Sequence, residues 1–213
     1  GYQSAKDENV KNYLKSVISS GKFLLKIIND ILDLSKIEAQ KLDLEIGKVN
    51  LAEMVDEFLT FYVHKAEENG LSFEIDIDNS IPEIVYLDEG RLKQVILNLI
   101  SNAFKFTEKG IIRLQFKNVR LDDALTLEIK IKDTGRGIPE DQVKTVFNSY
   151  EQTKKQSYKK FGGTGLGLFI VRKIIEVMGG EIAMKSILYQ GTTVTILLPK
   201  VRYELERKEQ GQS

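Results

Sequence analysis

The sequence predicts an α+β protein, an α/β sandwich with a mixed sheet and helices on one face, preceded by a long amphipathic helix. Three observations carry this. Several short runs alternate apolar and polar residues with period two, which marks half-buried strands. Helical patterns lie between those runs. An apolar stripe at helical spacing occupies the first forty or so residues.

From Val10 to about Leu42, apolar residues fall at Val10, Tyr13, Leu14, Val17, Leu24, Ile27, Ile28, Ile31, Leu34 and Ile37, with no proline. Steps of three and four with extra residues beside the seam make a stripe wide enough for more than one partner helix. A helix of roughly 30 residues is about 45 Å long. A bundle or coiled coil with another chain or a further helix is expected, and packing on its own globular domain is the alternative. The texture changes after Glu45: "IGKVNL" reads as a linker and short strand, and an amphipathic helix follows from about Leu51 to Asn69, stopped by Gly70. Strands are predicted around Leu71, Phe73, Ile75 and Ile77, around Ile112, Leu114 and Phe116, around Leu125 to Ile131, and around Val194, Ile196 and Leu198. Helices are predicted at about Asp88–Phe104 and Leu166–Met178, the second stopped by Gly179 and Gly180. "RLDDAL" reads as a hairpin turn. The expected organisation is 1–44 helix, 45–50 linker, 51–200 main domain and 201–213 polar tail.

Composition excludes several classes of function. The 213 residues are 42% hydrophobic, enough for a core, and 31 basic residues balance 31 acidic ones. No global field draws the chain to nucleic acid or anionic lipid, so no nucleic-acid partner is expected. There is no cysteine and one histidine, His64, which excludes disulfides and multi-histidine metal sites. No apolar run approaches the length needed to span a bilayer, and the first residues lack the apolar core of a signal peptide. A soluble piece is expected.

Three segments carry candidate chemistry. "FGGTGLGLFIVRKIIEVMGG" (161–180) is neither a P-loop nor a Rossmann turn, since it has no G-x-x-x-x-G-K-S/T and no third glycine of G-x-G-x-x-G. Its glycines and the amides opening the following helix could cradle a phosphate, or form a structural turn. In "KDTGRGIPED", Asp133 sits where a strand exits into a loop. Gly135 and Gly137 would let a flat ring approach the backbone. The carboxylate could accept from an exocyclic amino group of a purine, or cap local amides. In "RLKQVILNLISNAFKFTEKG", Asn98 and Asn102 lie four residues apart on one helix face, beside the apolar Leu92, Val95, Ile96 and Leu99. Amide oxygens are hard neutral ligands suited to Mg²⁺ with phosphate oxygens, and Lys105 could reach the same phosphates. The alternative is that both amides bond neighbouring backbone.

Taken in chain order, Asn98, Asn102 and Lys105, then Asp133, Gly135 and Gly137, then "VFNSYEQ", then Gly163, Gly165 and Gly167, the segments resemble the ATP-binding domain of sensor histidine kinases. That domain lies within the ATPase superfamily of gyrase, mismatch-repair proteins and heat-shock chaperones. The resemblance covers nearly the whole chain and implies a Bergerat-type ATP-binding fold. It implies Asn102 as principal Mg²⁺ ligand with Asn98 beside it, and Asp133 as adenine reader. Nucleotide contacts are implied at Lys105, Gly135, Gly137, Ile138, Phe147, Lys160, Gly163, Thr164, Gly165, Leu166, Gly167 and Thr192. Residues from about Tyr150 to Phe161, with the basic run "TKKQSYKKF", would form a lid hinged at Gly163–Gly167. Tyr150 stands where a second phenylalanine is common. "LLKIINDILDLSKIEAQKLDLE" resembles the second helix of the dimerisation and phosphotransfer hairpin, as written in hybrid sensor kinases. Two such hairpins make a four-helix bundle, which implies a homodimer in the full-length kinase. A response-regulator receiver domain as partner and the cytoplasmic portion of a protein that can be anchored in the plasma membrane are implied as well.

One departure matters. The family's phosphoacceptor histidine stands on the first hairpin helix in a segment like "SHELRTPL", which this chain lacks, and His64 in "FLTFYVHKAEENG" lies elsewhere. The nucleotide site is expected without the residue to be phosphorylated, so the fragment alone should not autophosphorylate. The ATPase branches place a glutamate four residues before the Mg²⁺ asparagine, where it can deprotonate water. Here that position is Asn98, and an amide is no general base. A kinase is therefore expected over a chaperone- or gyrase-like ATPase or a non-catalytic dimerising module.

Overall fold

The computed structural model describes residues 2–119, 124–147 and 166–204. The chain divides into two compact units, Gly1–Leu42 and Asp43–Ser213.

The first unit is the helix α1 (Tyr2–Glu38). It starts eight residues before the apolar stripe, because "YQSAKDEN" offers only Tyr2 and Ala5, too few apolar residues to reveal the period. Its end precedes the expected Leu42. Gln40 takes a left-handed conformation (φ 54°), Lys41 N donates to Lys36 O at 2.8 Å and Gln40 N to Ile37 O at 3.0 Å. This is a Schellman closure built on glutamine where glycine is usual, so no residue type announced it. Val10, Tyr13, Leu14, Val17, Leu24, Ile28 and Ile31 are all exposed.

The second unit is an α/β sandwich. After β1 (Gly47–Asn50), Asn50 caps α2 (Leu51–Glu68), its side-chain oxygen accepting from Ala52 N and Glu53 N at 3.0 and 3.2 Å. Next come β2 (Leu71–Ile77), β3 (Ile84–Leu87), α3 (Glu89–Phe106), β4 (Gly110–Asn118) and β5 (Leu127–Asp133). A single turn α4 (Glu140–Val143) follows, then α5 (Gly167–Val177), β6 (Glu181–Ile187), β7 (Gly191–Leu198) and β8 (Arg202–Tyr203). The main sheet has the order β2-β4-β5-β7-β6; β2 and β4 run parallel and the other pairs are antiparallel, so the sheet is mixed. The parallel pair needs a crossover, and α3 provides it. The turn expected at "RLDDAL" falls largely on residues 120–123, outside the described residues, while the strands on either side of it pair antiparallel as a hairpin requires.

Alternation sets the core. Phe73, Ile112, Leu114, Phe116, Ile129, Ile131 and Ile196 turn inward, against Leu92, Ile96 and Ile100 of α3 and Ile170 and Ile174 of α5. Each such side chain contributes about 1.5–3 kcal/mol on burial. Tyr62 of α2 closes one side, its ring 5.4 Å from Phe73 and 5.5 Å from Phe104. The opposite face of the sheet is wet, with Glu74 paired to Arg113 and Glu128 to Lys130.

A smaller sheet has the order β1-β3-β8. It was legible only at β1, since β3 and β8 are too short for periodicity; in the main sheet β6 was not legible, because its apolar alternation breaks at Ser186. Glu204, just past β8, accepts from Tyr86 Oη at 2.7 Å and pairs with Lys48 at 2.6 Å, which fastens β1, β3 and the end of β8 together.

Candidate functional site

Asp88 sets the position of α3. One carboxylate oxygen caps the helix by accepting from Arg91 N at 2.9 Å, and the other accepts from Glu45 N at 2.9 Å. Helical periodicity then sends Val95, Ile96, Leu99, Ile100 and Ala103 inward and brings Asn98 and Asn102, both half-buried, to a common face. Among the described residues the two amides do not bond to backbone. Asn102 Nδ2 donates to Asn98 Oδ1 at 3.3 Å, leaving Asn102 Oδ1 as an acceptor. The Asn98 amide faces the start of α5, where a Cβ on Gly167 would lie 2.8 Å from Nδ2 and 2.9 Å from Oδ1. Only a glycine lets α5 begin this close to the asparagine pair. Leu166, the N-cap of α5, supplies no side-chain hydrogen bond to its first amides, so an anion there would meet backbone donors.

Asp133 ends β5 and is buried, 8% exposed. Its Oδ1 accepts from Gly135 N at 2.9 Å and Thr192 N at 3.3 Å, while Oδ2 accepts no hydrogen bond among the described residues. Burial raises its pKa above the usual carboxylate value, and the two amide donors oppose that rise. The capping reading of Asp133 therefore describes one oxygen and leaves the other for a donor.

Ser186 organises the same corner. Its hydroxyl donates to Gly191 O at 3.0 Å, accepts from Ile138 N at 2.8 Å, and lies 2.9 Å from Thr192 Oγ1. Ile138 and Thr192 are thus bound to one side chain that sequence reasoning missed, a serine in an edge strand that also carries Glu181 and Lys185. Gly137 has φ 66°, and a Cβ there would strike the backbone of Ile187; a Cβ on Gly135 would strike Phe106 O. Internal packing already requires both glycines, a reason distinct from approach by a flat ring.

Phe106, at the end of α3, joins the two halves of the site. Its carbonyl accepts from Arg136 N at 3.1 Å. Its ring carries Arg136 Cζ at 4.7 Å and Lys105 Nζ at 5.1 Å from its centroid. Neither Phe106 nor Arg136 stood out in the sequence, since an aromatic at a helix end and an arginine between two glycines have ordinary structural uses. Phe147 is buried. Lys160, Gly163, Thr164 and Gly165, and the expected lid from Tyr150 to Phe161, lie outside the described residues. His64 is exposed on α2, away from any acceptor motif.

Comparison with known proteins identifies the family. Among curated proteins, the chain is 39% identical over 184 residues to the signal transduction histidine-protein kinase BarA of Escherichia coli (strain K12), covering 86% of this chain and 20% of that one. It is 35% identical over 204 residues to the autoinducer 2 sensor kinase/phosphatase LuxQ of Vibrio vulnificus (strain CMCP6), covering 95% and 24%. The chain therefore spans about a fifth to a quarter of the length of these two relatives. Among solved structures, full-length ShkA in complex with AMPPNP superposes with a TM-score of 0.75 at 27% identity, covering 91% of this chain and 40% of that one. The catalytic domain of the histidine kinase ThkA superposes at 0.61 and 31% identity, covering 74% of this chain and 97% of that domain. Residues 87–202 match the family described as histidine kinase-, DNA gyrase B-, and HSP90-like ATPase. That span runs from the last residue of β3 into β8 and takes in both asparagines, Asp133 and the start of α5, and the chain belongs to that family.

Proposed function

We propose that this chain is the ATP-binding catalytic part of a two-component sensor histidine kinase. It transfers the γ-phosphoryl of Mg²⁺-ATP to a histidine that this chain does not contain, for relay to a response-regulator aspartate. The observation that carries the reading is the Asp133 carboxylate, buried at the end of a strand with one oxygen held by two amides and the other open to a donor. A buried single acceptor of that kind selects a base with an exocyclic amino group, as adenine has. Kinship with BarA and LuxQ, both kinases by name, supports the choice of reaction.

Within this reading, Asn102 Oδ1 is the protein ligand for Mg²⁺, with Asn98 beside it. The fit rests on the amide pair itself: the hydrogen bond from Asn102 Nδ2 to Asn98 Oδ1 turns the Asn102 oxygen outward as a hard neutral donor. Bound there, the ion neutralises charge on the phosphate oxygens. Lys105 and the first amides of α5 meet the phosphates, and Ile138 and Thr192 line the base pocket. Phosphoryl transfer depends chiefly on positioning and charge neutralisation. With Asn98 where a hydrolytic enzyme needs a carboxylate, water is not deprotonated, and the γ-phosphoryl waits for an imidazole.

The exposed stripe of α1 belongs to the reading as well. Tyr13 and Val17 are 73% and 69% exposed, more apolar surface than a solitary helix leaves in water. A first hairpin helix and the partner protomer's hairpin cover it in the full-length kinase, where residues 1–44 serve as the second helix of the dimerisation domain. Among the described residues no helix is long and apolar enough to cross a membrane.

The test is transfer in trans. A polypeptide carrying the missing histidine-bearing helix is mixed with this chain and γ-labelled Mg²⁺-ATP. Acid-labile, base-stable label on the histidine helix is expected, with slow release of free phosphate. Steady phosphate release without label on histidine would overturn the kinase reading in favour of an ATPase.

A further inference from the structure

Thr107 is the C-cap of α3, following directly on Phe106. The residue is 3% exposed, and its buried hydroxyl has no hydrogen-bond partner among the described residues. Such a group is costly to leave unpaired, and a valine of the same shape would avoid the cost. A threonine here calls for a state in which the hydroxyl is used.

The surroundings identify that state. A Cβ placed on Gly135 would lie 2.8 Å from Thr107 Oγ1 and 2.9 Å from Asp133 Oδ1. The hydroxyl and the carboxylate therefore close on one point of the Gly135 backbone, on the side where glycine leaves no side chain between them. Phe106 O lies nearer that point, but already accepts from Arg136 N. The carboxylate is the next acceptor there and is incompletely served: the Thr192 N contact is long at 3.3 Å, and Oδ2 takes nothing among the described residues.

We propose that Thr107 is a positioning residue of the adenine site, whose hydroxyl donates to the Asp133 carboxylate when a nucleotide occupies the pocket. The inference rests on the reading of Asp133 as the adenine acceptor. Accepting an exocyclic amino proton on Oδ2 turns the carboxylate, and a small turn brings it within reach of the hydroxyl. Three donors from the protein and one from the base then satisfy a buried anion that burial alone pushes toward protonation. Thr107 also terminates the helix that bears Asn98, Asn102 and Lys105. The same bond ties recognition of the base to the residues placed at the phosphates.

The experiment uses the whole 213-residue chain and two nucleotides, Mg²⁺-ATP and Mg²⁺-purine riboside triphosphate, which lacks the exocyclic amino group. Calorimetric titration of Thr107→Val is expected to show about tenfold weaker binding of ATP. Binding of the analogue should stay within about twofold of wild type, since the bond that Thr107 supports is already missing there. The nucleotide-free variant should melt at or above the wild-type temperature, because an unpaired hydroxyl has gone. Thr107→Ser keeps the donor and should distinguish ATP from the analogue as wild type does; it carries the test if the valine variant does not fold. Equal ATP affinity in Thr107→Val and wild type overturns the proposal, as does equal weakening for both nucleotides or loss of discrimination in Thr107→Ser. A wild-type chain that binds neither nucleotide overturns the ATP reading, and this inference with it.

Discussion

Asp133 carries two roles that pull in opposite directions. As an adenine acceptor it must be ionised, yet burial raises its pKa. A carboxylate whose folded pKa lies above its unfolded value adds stability below the unfolded pKa and loses it as the pH rises through the folded one. At neutral pH the ionised group is therefore a liability to the empty protein. Asp133→Asn, which keeps an oxygen for Gly135 N and Thr192 N, should match or exceed wild type in urea unfolding at about pH 7, with the advantage shrinking toward about pH 4. The same variant should lose ATP, because the amide cannot present an acceptor on both sides. Asn102 makes a different demand. Asn102→Ala should abolish the Mg²⁺-dependent part of ATP affinity, measured as the difference between titrations with Mg²⁺ and with EDTA, and a Mg²⁺ increment equal to wild type would remove Asn102 from the metal.

The helices are held by contacts that sequence discloses unevenly. The period of α3 and the spacing of Asn98 and Asn102 were legible, because a polar pair inside an apolar helix is costly without a task. That they bond to each other and face Gly167 was not, since α5 begins nearly seventy residues later in the chain. Gly167→Ala tests that contact. At a helix start alanine should gain roughly 1 kcal/mol over glycine by propensity, but its Cβ would press on the Asn98 amide. A lower melting temperature is expected, recovered when Asn98→Ala is added, so that the two changes couple in a double-mutant cycle. The N-cap of α2 was legible only in outline. Asn50→Ala should cost about 1 kcal/mol with an unchanged urea m-value. The Schellman closure on Gln40 was invisible, because backbone hydrogen bonds hold a residue that has no special preference for that conformation.

At the scale of the whole chain, the strands of the main sheet other than β6 were legible from alternation because one face is wet, while the pattern left a mixed or an antiparallel order open and the parallel pairing of β2 with β4 makes it mixed. The short sheet of β1, β3 and β8 was not, since strands of two to four residues carry no period. The ligand corner was half legible: the glycines and Asp133 declared a loop after a strand, but Ser186, Phe106, Arg136 and Thr107 converge there only through the topology. Each unit should report separately, with nucleotide acting on the unit that begins at Asp43. That unit is claimed to be an ATP site read by Asp133, and thermal denaturation with and without Mg²⁺-ATP tests the claim most directly. At a hundredfold excess over the dissociation constant, ATP should stabilise wild type by about 2.7 kcal/mol, GTP should have far less effect, and Asp133→Ala should lose the response. A wild-type chain whose melting is unmoved by ATP, or an Asp133→Ala variant that responds as wild type does, would contradict it.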